Sequence, residues 1–213
     1  MLLNIDGRFA YLAMTKTGST SVENAIRKHC HVMFTRHHRA THMPAHHFER
    51  FLRPWLEESD IRHVDTVCQL RHPIDWLESW WRYRSKPGAW EPEVSTKGIG
   101  FEQFAEEYIS GADRPYLGVH RPQSFLCDAQ GALLVDIVYR FEDMGLFNEF
   151  LSIRLARPVK IERHNSSPRR WARLSRSTRA KLEEYFTPEL DIWENRTART
   201  ATPRDRAERS KAN

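Results

Sequence analysis

Short apolar runs alternate with longer amphipathic stretches along most of the chain. The runs have the length of buried strands, and the stretches between them repeat apolar residues every three or four positions, as helices do. Strands are predicted at residues 9–14, 31–35, 66–70, 132–139 and 158–161, and helices at 22–27, from Pro44 onward, and at 73–84, 101–109, 145–155, 175–186 and 188–194. This alternation predicts a three-layer α/β/α fold, in which helices cover both faces of a central, mainly parallel sheet.

The loop between the first predicted strand and its helix is polar. It contains one lysine, one glycine and four hydroxyl residues: Lys16, Thr17, Gly18, Ser19, Thr20 and Ser21. A helix that begins directly after such a loop presents unpaired N–H groups and the positive end of its dipole, which favour an anion such as phosphate. The alternative is a serine or threonine that only caps the helix. The nucleotide-binding pattern G-x-x-x-x-G-K-[ST] is absent, because the lysine precedes the single glycine.

A second anion site is predicted at the end of another strand. The run 66–70 leads into Arg71, Pro73 suits the first turn of the next helix, and Ser79 lies on that helix. Open α/β sheets bind ligands at the carboxyl ends of their strands. The alternative is that Arg71 pairs with a carboxylate at the strand end and that Ser79 is an ordinary helix residue.

The first of these segments resembles a motif of the sulfotransferases that use 3′-phosphoadenosine 5′-phosphosulfate. Residues 16–21 resemble the loop P-K-[ST]-G-[ST]-[ST], which binds the 5′-phosphosulfate group in that family, with Thr15 in place of proline. Val22 stands where the family has a tryptophan that stacks on adenine, so the resemblance does not extend to adenine recognition.

The second segment resembles the 3′-phosphate motif of the same family, R-[DNH]-P-x-x-x-x-x-S-x-[YW]. Arg71, Pro73, Ser79 and Trp81 match it in register. In the family the arginine and the serine hold the 3′-phosphate that distinguishes the donor from ordinary adenine nucleotides, and the resemblance implies this role for Arg71 and Ser79.

The resemblance covers about residues 9–195 and implies a P-loop NTPase-like sulfotransferase fold. It implies in-line transfer of a sulfuryl group from 3′-phosphoadenosine 5′-phosphosulfate to an acceptor hydroxyl or amine, with Lys16 neutralising the leaving phosphate. The lysine and the helix N-terminus supply the positive charge, so no metal is required. The match is closer to bacterial and Golgi-type members, which favours a glycan or glycolipid acceptor.

A histidine-rich segment supplies candidates for a general base. The sequence T-H-M-P at residues 41–44 resembles the T-H-[LF]-P segment of cytosolic sulfotransferases, which implies that His42 is the base. Histidine titrates near neutrality and suits the removal of a hydroxyl proton. His38, His46 and His47 are the alternatives. No H-E-x-x-H pattern and no carboxylate or cysteine cluster completes a zinc set, so no metal site is predicted.

Three later segments contribute to the hypothesis. Residues 85–100 are rich in Pro, Gly and Ser and predict a long loop, near which Trp81, Tyr83 and Trp90 either stack on an acceptor or pack on the surface. Residues 140–144 (R-F-E-D-M) resemble the family's Y-E-D-L junction, where a carboxylate is expected to order loops or cap a helix. Residues 164–167 (H-N-S-S) resemble the N-x-S that follows the last strand.

The basic charge of the chain raises the question of nucleic-acid binding. The formal net charge is +5, and residues 196–213 carry six Lys or Arg against two acidic residues and no large apolar residue. A domain over residues 1–195 followed by a basic, disordered tail is therefore predicted. Residues 160–181 form a second basic block, which is either a solvated helix face or a wall facing the donor. No nucleic-acid fold signature is present, and nucleic-acid binding is not predicted.

Cellular location and cysteine chemistry follow from what the sequence lacks. No apolar run approaches the length of a membrane span, and residues 1–5 are too short for the core of a signal peptide, so a cytoplasmic protein without stable membrane insertion is expected. Cys30, Cys68 and Cys127 are widely separated and predict no disulfide framework. The two competing functions are a small-molecule kinase, which would need ATP and Mg²⁺, and a basic nucleic-acid-binding protein.

Overall fold

The computed structural model describes residues 1–162 and 171–198. At its centre is a sheet of five strands, β1 (Leu2–Asn4), β2 (Phe9–Leu12), β3 (Val32–Met33), β4 (Asp65–Leu70) and β5 (Ile137–Arg140). Their order in the sheet is β3-β1-β2-β4-β5. β4 is parallel to β2 and β5, whereas β1 is antiparallel to β2 and β3. Four of the five strands therefore run in one direction, which confirms the predicted α/β fold with a mainly parallel sheet.

The described residues also form ten α-helices, several of them a single turn long. In chain order, α1 to α10 are Ser19–Ile26, His38–Thr41, Ala45–His47, Arg53–Glu58, Pro73–Arg84, Phe101–Ile109, Pro122–Leu126, Met144–Arg154, Arg176–Tyr185 and Thr187–Asp191. The helices predicted at 73–84 and 101–109 are confirmed at both ends, and residues 85–100 form a loop as predicted. No helix within residues 1–162 and 171–198 has both the length and the hydropathy that crossing a bilayer requires.

Helices pack on both faces of the sheet because alternate strand residues point in opposite directions. One face packs against α3, α4 and α7 in a cluster that includes Ala10, Leu12, Cys68, Leu70, Ala45, Leu56 and Leu126. The other packs against α1 and α8 in a cluster that includes Phe9, Tyr11, Val67, Tyr139, Val22, Ile26, Phe147 and Phe150. Burial on both faces explains why β2 is a continuous apolar run in the sequence, whereas β4 also buries the polar Thr66 and Gln69.

The strands differ from the prediction at both ends of the chain. No strand is predicted in residues 1–8, yet Leu2–Asn4 forms β1, which pairs with β2 across a short turn. The strand predicted at 132–139 is confined to Ile137–Arg140. The strand predicted at 158–161 is absent: the backbone N–H of Val159 donates to Ser152 Oγ at 3.0 Å rather than to a strand.

Apolar residues at positions 48, 51, 52, 55 and 56 share one face of the helix predicted from Pro44, and this stripe is predicted to pack in the core. The structure buries it only in part. Phe48 and Leu56 lie in the core, but Phe51 is 59% exposed and Trp55 is 43% exposed. Phe48–Leu52 is a π-helical segment between α3 and α4. Its hydrogen bonds run from residue i to i+5, which changes the phase of the apolar positions that follow. The prediction that the whole stripe packs in the core is therefore wrong for these two aromatic residues.

The described chain continues slightly beyond the predicted domain. A second π-helical segment, Ile192–Arg196, follows α10, and Ala198 N donates to Val138 O of β5 at 2.8 Å. Residues 163–170 and 199–213 lie outside the described residues. They include the predicted H-N-S-S segment, part of the basic block at 160–181 and most of the basic tail. The domain boundary at residue 195 therefore stays a prediction.

Candidate functional site

The two predicted anion-binding segments meet at one edge of the sheet. β2 and β4 are adjacent and parallel, and Leu12 lies opposite Cys68, so the residues that follow the two strands leave the sheet at neighbouring points. Lys16 comes shortly after β2, and Arg71 directly follows β4. The charge of Arg71 is one of the influences that lower the pKa of Lys16, as expected for two neighbouring cations. The structure therefore brings these two predicted site residues together.

The loop after β2 has an unusual backbone. Lys16 (φ 64°) and Gly18 (φ 71°) both adopt the left-handed conformation, which is strained for a residue with a side chain. A Cβ atom at Gly18 would lie 3.2 Å from Phe141 Cε2, so backbone and space both require glycine there. Helix α1 begins at Ser19 without a side-chain cap. The alternative of a simple Ser or Thr cap therefore does not describe this loop.

The hydroxyl residues of the loop are not equivalent. Thr17 is fully buried, and its hydroxyl donates to Met14 O at 2.9 Å. A hydroxyl has one hydrogen, so Thr17 has no side-chain donor left for a ligand, contrary to the expectation, and offers only its backbone N–H. Ser19 and Ser21 are buried in the first turn of α1, whereas Thr20 is exposed.

The ammonium group of Lys16 lies against two aromatic rings of α5. Its Nζ is 3.8 Å from the centre of the Tyr83 ring and 5.5 Å from that of Trp80, which are cation–π distances. Burial, and then the charges of Lys86 and Arg71, lower the pKa of Lys16 to about 7. Among the described residues no carboxylate forms an ion pair with Lys16. An anion bound here would supply the missing negative charge and raise this pKa.

Arg71 has a similar environment on the neighbouring strand. It is half-buried, and its guanidinium carbon lies 5.3 Å from the centre of the Phe141 ring. Burial lowers the pKa of Arg71, an effect opposed by three carboxylates further away: Asp75, Glu142 and Glu78. Ser79 is 7% exposed on α5, the helix that begins two residues after Arg71. Arg71 and Ser79 thus lie on one strand-to-helix connection, as predicted from the sequence.

Glu142 orders the connection that contains Arg71. Its Oε1 accepts a hydrogen bond from His72 N at 2.9 Å, and its Oε2 accepts one from Trp193 Nε1 at 3.0 Å. The rings of His72 and Trp193 pack edge to face, with centres 5.0 Å apart. One carboxylate therefore joins the residue after Arg71 to the C-terminal π-helical segment, in line with the ordering role expected for this junction.

His42 lies at the end of β2, where the predicted anion-binding loop begins. Its Nδ1 is 2.6 Å from the backbone oxygen of Ala13. A carbonyl oxygen only accepts, so Nδ1 carries the hydrogen and Nε2 has the free lone pair in the neutral ring. Burial lowers the pKa of His42, and the hydrogen bond to Ala13 opposes that shift. A neutral imidazole with a fixed tautomer is the form that accepts a proton.

The three alternative bases have different environments. His38, His46 and His47 are exposed. His38 stacks on His37 with ring centres 5.0 Å apart, and His46 packs edge to face on His47 at 4.4 Å. Of the four candidates, His42 is the half-buried one, and it contacts the strand that leads into the loop.

The aromatic environment of Lys16 is absent from the sequence-based predictions. Trp80 and Tyr83 are three residues apart, a spacing that places both on one side of α5 and could have identified them as a pair. Trp81 lies near the loop 85–100 as predicted, because its Nε1 donates to Ile99 O at 2.9 Å, but it is 1% exposed and packs in the core.

Neither a metal site nor a similar protein helps to assign a function to this site. Within residues 1–162 and 171–198, no group of three or more His, Cys, Asp or Glu residues is placed to hold a metal ion. Comparisons of the chain with models of protein families, with curated proteins and with solved structures gave no match. The geometry and chemistry of the site itself are therefore the basis for assigning a function.

The contact between His42 and Ala13 predicts a specific nuclear magnetic resonance signature. In a ¹⁵N-correlated histidine spectrum near neutral pH, His42 should be the Nδ1–H tautomer, since Nδ1 faces an acceptor. Its pKa should lie below the ordinary value of about 6.5, because burial disfavours the charged ring. A His42→Gln variant identifies the signal by its loss. An Nε2–H tautomer at His42 would contradict the contact.

Proposed function

We propose that this protein is a sulfotransferase, which moves a sulfuryl group from 3′-phosphoadenosine 5′-phosphosulfate to an acceptor hydroxyl or amine. The observation that carries the proposal is the convergence of Lys16 and Arg71 at the ends of two adjacent parallel strands. Neither cation forms an ion pair within the described residues. Two half-buried cations that follow adjacent parallel strands suit a nucleotide with phosphate groups at both ends of its ribose.

The fold is compatible with this assignment. A strand, an anion-binding loop and a helix follow one another at residues 9–26, and helices pack on both faces of the sheet. We propose that this arrangement is a three-layer, P-loop NTPase-like sulfotransferase fold. The antiparallel β1 then lies between the parallel core of the sheet and β3.

Each site residue has a distinct role in the proposed reaction. The backbone N–H groups of residues 16–20 and the ammonium group of Lys16 would hold the 5′-phosphosulfate, whereas the N–H of Ser21 already donates to Gly18 O at 2.9 Å. Arg71 and Ser79 would hold the 3′-phosphate. A side chain at position 18 would approach Phe141, whereas glycine lets the loop backbone come close to the ligand. The 3′-phosphate is what distinguishes the donor from AMP and ATP, so selectivity depends on Arg71 and Ser79.

In the proposed transfer step, His42 acts as the base and Lys16 stabilises the leaving phosphate. His42 Nε2 would take the hydrogen of the acceptor hydroxyl as its oxygen forms a bond to sulfur. The bond between sulfur and the bridging oxygen breaks, and the electron pair remains on the departing phosphate. Lys16 and the N-terminus of α1 would stabilise that charge. The proton ends on His42 and the sulfuryl group on the acceptor, so charge and atoms balance.

Nucleotide selectivity is the direct test of the proposal. By titration calorimetry, 3′-phosphoadenosine 5′-phosphate should bind the wild-type chain at least about tenfold more tightly than AMP, because Arg71 and Ser79 add charge-assisted hydrogen bonds to the 3′-phosphate. Arg71→Gln should remove most of this preference. Arg62→Gln is the matched control, since Arg62 is 70% exposed and pairs with Asp60. Equal binding of the two nucleotides overturns the proposal, and tighter binding of ATP with Mg²⁺ favours a kinase.

A second prediction concerns substitutions of Lys16, Arg71 and His42. Lys16→Ala and Arg71→Ala should abolish transfer of labelled sulfate to the best acceptor in a screen of saccharides, tyrosine peptides and phenols. His42→Ala should lower kcat by about 100-fold or more, because it removes the base, while binding of 3′-phosphoadenosine 5′-phosphate changes little. His47→Ala, at an exposed alternative, should be near normal. Normal turnover in His42→Ala would show that the base is another residue.

A third prediction concerns the uptake of a proton by Lys16 when the nucleotide binds. Its pKa of about 7 in the free protein leaves it largely neutral at about pH 8, and the adjacent phosphate would raise that pKa. Binding of 3′-phosphoadenosine 5′-phosphate at about pH 8 should therefore take up close to one proton, and less at about pH 6, where Lys16 is already charged. Calorimetry in buffers of different ionisation enthalpy measures this uptake. Lys16→Met should lose it, and uptake that persists in this variant would contradict the assignment.

A further inference from the structure

Three aromatic rings converge where α5 meets the loop at residues 85–100. The centres of the Trp80 and Tyr83 rings are 5.8 Å apart, and those of Tyr83 and Trp90 are 5.2 Å apart, both edge to face. All three side chains are half-buried. We call Trp80, Tyr83 and Trp90 the aromatic cluster. Its position is set by Tyr83, which lies 3.8 Å from Lys16 Nζ and so next to the reaction centre of the proposed transfer.

Two further cations lie against the aromatic cluster. Lys86 Nζ is 5.0 Å from the centre of the Tyr83 ring, and the guanidinium carbon of Arg84 is 5.6 Å from Trp80 and 5.9 Å from Trp90. Within the described residues neither cation has an ion-pair partner. Cations that form no ion pair keep their positive charge available to attract an anionic ligand.

Arg84 is a fixed part of this charge. It is 6% exposed, and it donates to Pro115 O at 2.9 Å and to Gly118 O at 3.0 Å. Burial lowers the pKa of Arg84. Because both acceptors are neutral carbonyl groups, the positive charge of Arg84 is not cancelled. Lys86 is half-buried and is the cation of the pair that a ligand can reach.

The loop around the aromatic cluster is held by its own hydrogen bonds. Trp90 Nε1 donates to Tyr83 O at 3.0 Å, Thr96 N donates to Arg84 O at 3.2 Å, and Thr96 Oγ1 donates to Trp81 O at 2.6 Å. These bonds engage the carbonyl groups at the end of α5 inside the protein. These carbonyl groups are therefore engaged inside the protein and not available to pair with an extended peptide, whereas the rings and the ammonium group of Lys86 are half-buried at the surface.

We propose that the aromatic cluster and Lys86 form the acceptor subsite and that the acceptor is an acidic saccharide. The C–H faces of a pyranose ring would pack on Trp90 and Tyr83, and a carboxylate or sulfate on the same chain would pair with Lys86. This inference rests on the proposed function, because it is the contact between Tyr83 and Lys16 that places the subsite beside the transferred group. A single acidic chain uses both the rings and the charge, whereas a neutral glycan uses only the rings.

Saccharide binding to the full chain tests the inference without any turnover. We expect a hexasaccharide of alternating glucuronate and N-acetylglucosamine to bind at least about tenfold more tightly than the neutral hexamer of N-acetylglucosamine. Trp90→Ala should weaken the acidic hexasaccharide about tenfold, and Lys86→Gln about fivefold. Lys97→Gln is the matched control, since Lys97 is an exposed lysine of the same loop. Trp90→Phe, which keeps a ring, should retain most of the affinity even if Trp90→Ala loosens the loop.

Three outcomes would overturn the inference. Equal binding of the two hexasaccharides removes the role of charge, and equal effects of Lys86→Gln and Lys97→Gln indicate only non-specific attraction to a basic protein. Tighter binding of an acidic tyrosine peptide, weakened by the same variants, assigns the subsite to peptides. Binding of 3′-phosphoadenosine 5′-phosphate should be unchanged in Trp90→Ala. A chain that binds the acidic saccharide but does not prefer this nucleotide to AMP would contradict the sulfotransferase proposal and not the saccharide site.

Discussion

The parallel pairing of β2 with β4 is the constraint on which the site depends. Leu12 lies opposite Cys68 in that register, and it is this register that carries the loop with Lys16 and the connection with Arg71 to the same edge of the sheet. A shift of one residue would turn every side chain of β2 to the other face. Since residues of β2 are buried on both faces, such a shift would disrupt both hydrophobic clusters. The core that stabilises the fold thereby fixes the distance between the two cations.

The site contains two half-buried cations, and aromatic side chains offset part of the free-energy cost of burying them. Removing an ammonium or guanidinium group from water is unfavourable unless something replaces the lost hydration. Tyr83 and Trp80 do so for Lys16, and Phe141 does so for Arg71, through the negative faces of their rings. A carboxylate would stabilise these cations more strongly, but it would also compete with an anionic ligand. Rings hold the cations without neutralising them.

The sequence predicted those parts of the site that depend on the succession of residues within a short segment. The transition from strand to polar loop to helix at residues 9–26 was visible because the apolar run that contains β2 is followed directly by the polar residues 15–21. Arg71 was visible because Pro73 marks where α5 begins. The left-handed conformation of Lys16 was not visible, since non-glycine residues seldom adopt it. The exposure of Phe51 and Trp55 was missed for a related reason, because the π-helical hydrogen bonds that shift their phase leave no mark in the apolar spacing.

The remaining parts of the site depend on contacts between distant segments, which no local pattern encodes. Glu142 shows how such a contact acts. It binds the backbone of His72 with one oxygen and the indole of Trp193 with the other, and Arg140, two residues earlier, lies 4.0 Å from the same indole ring. The connection after β4 is therefore held by a carboxylate after β5, which is itself covered by the last described segment of the chain. Phe141, from this same junction, lies close to Gly18 in the loop of Lys16 and against the guanidinium group of Arg71. The end of β5 therefore contacts both of the proposed anion sites, so their relative placement depends on the packing of three strand ends rather than on either loop alone.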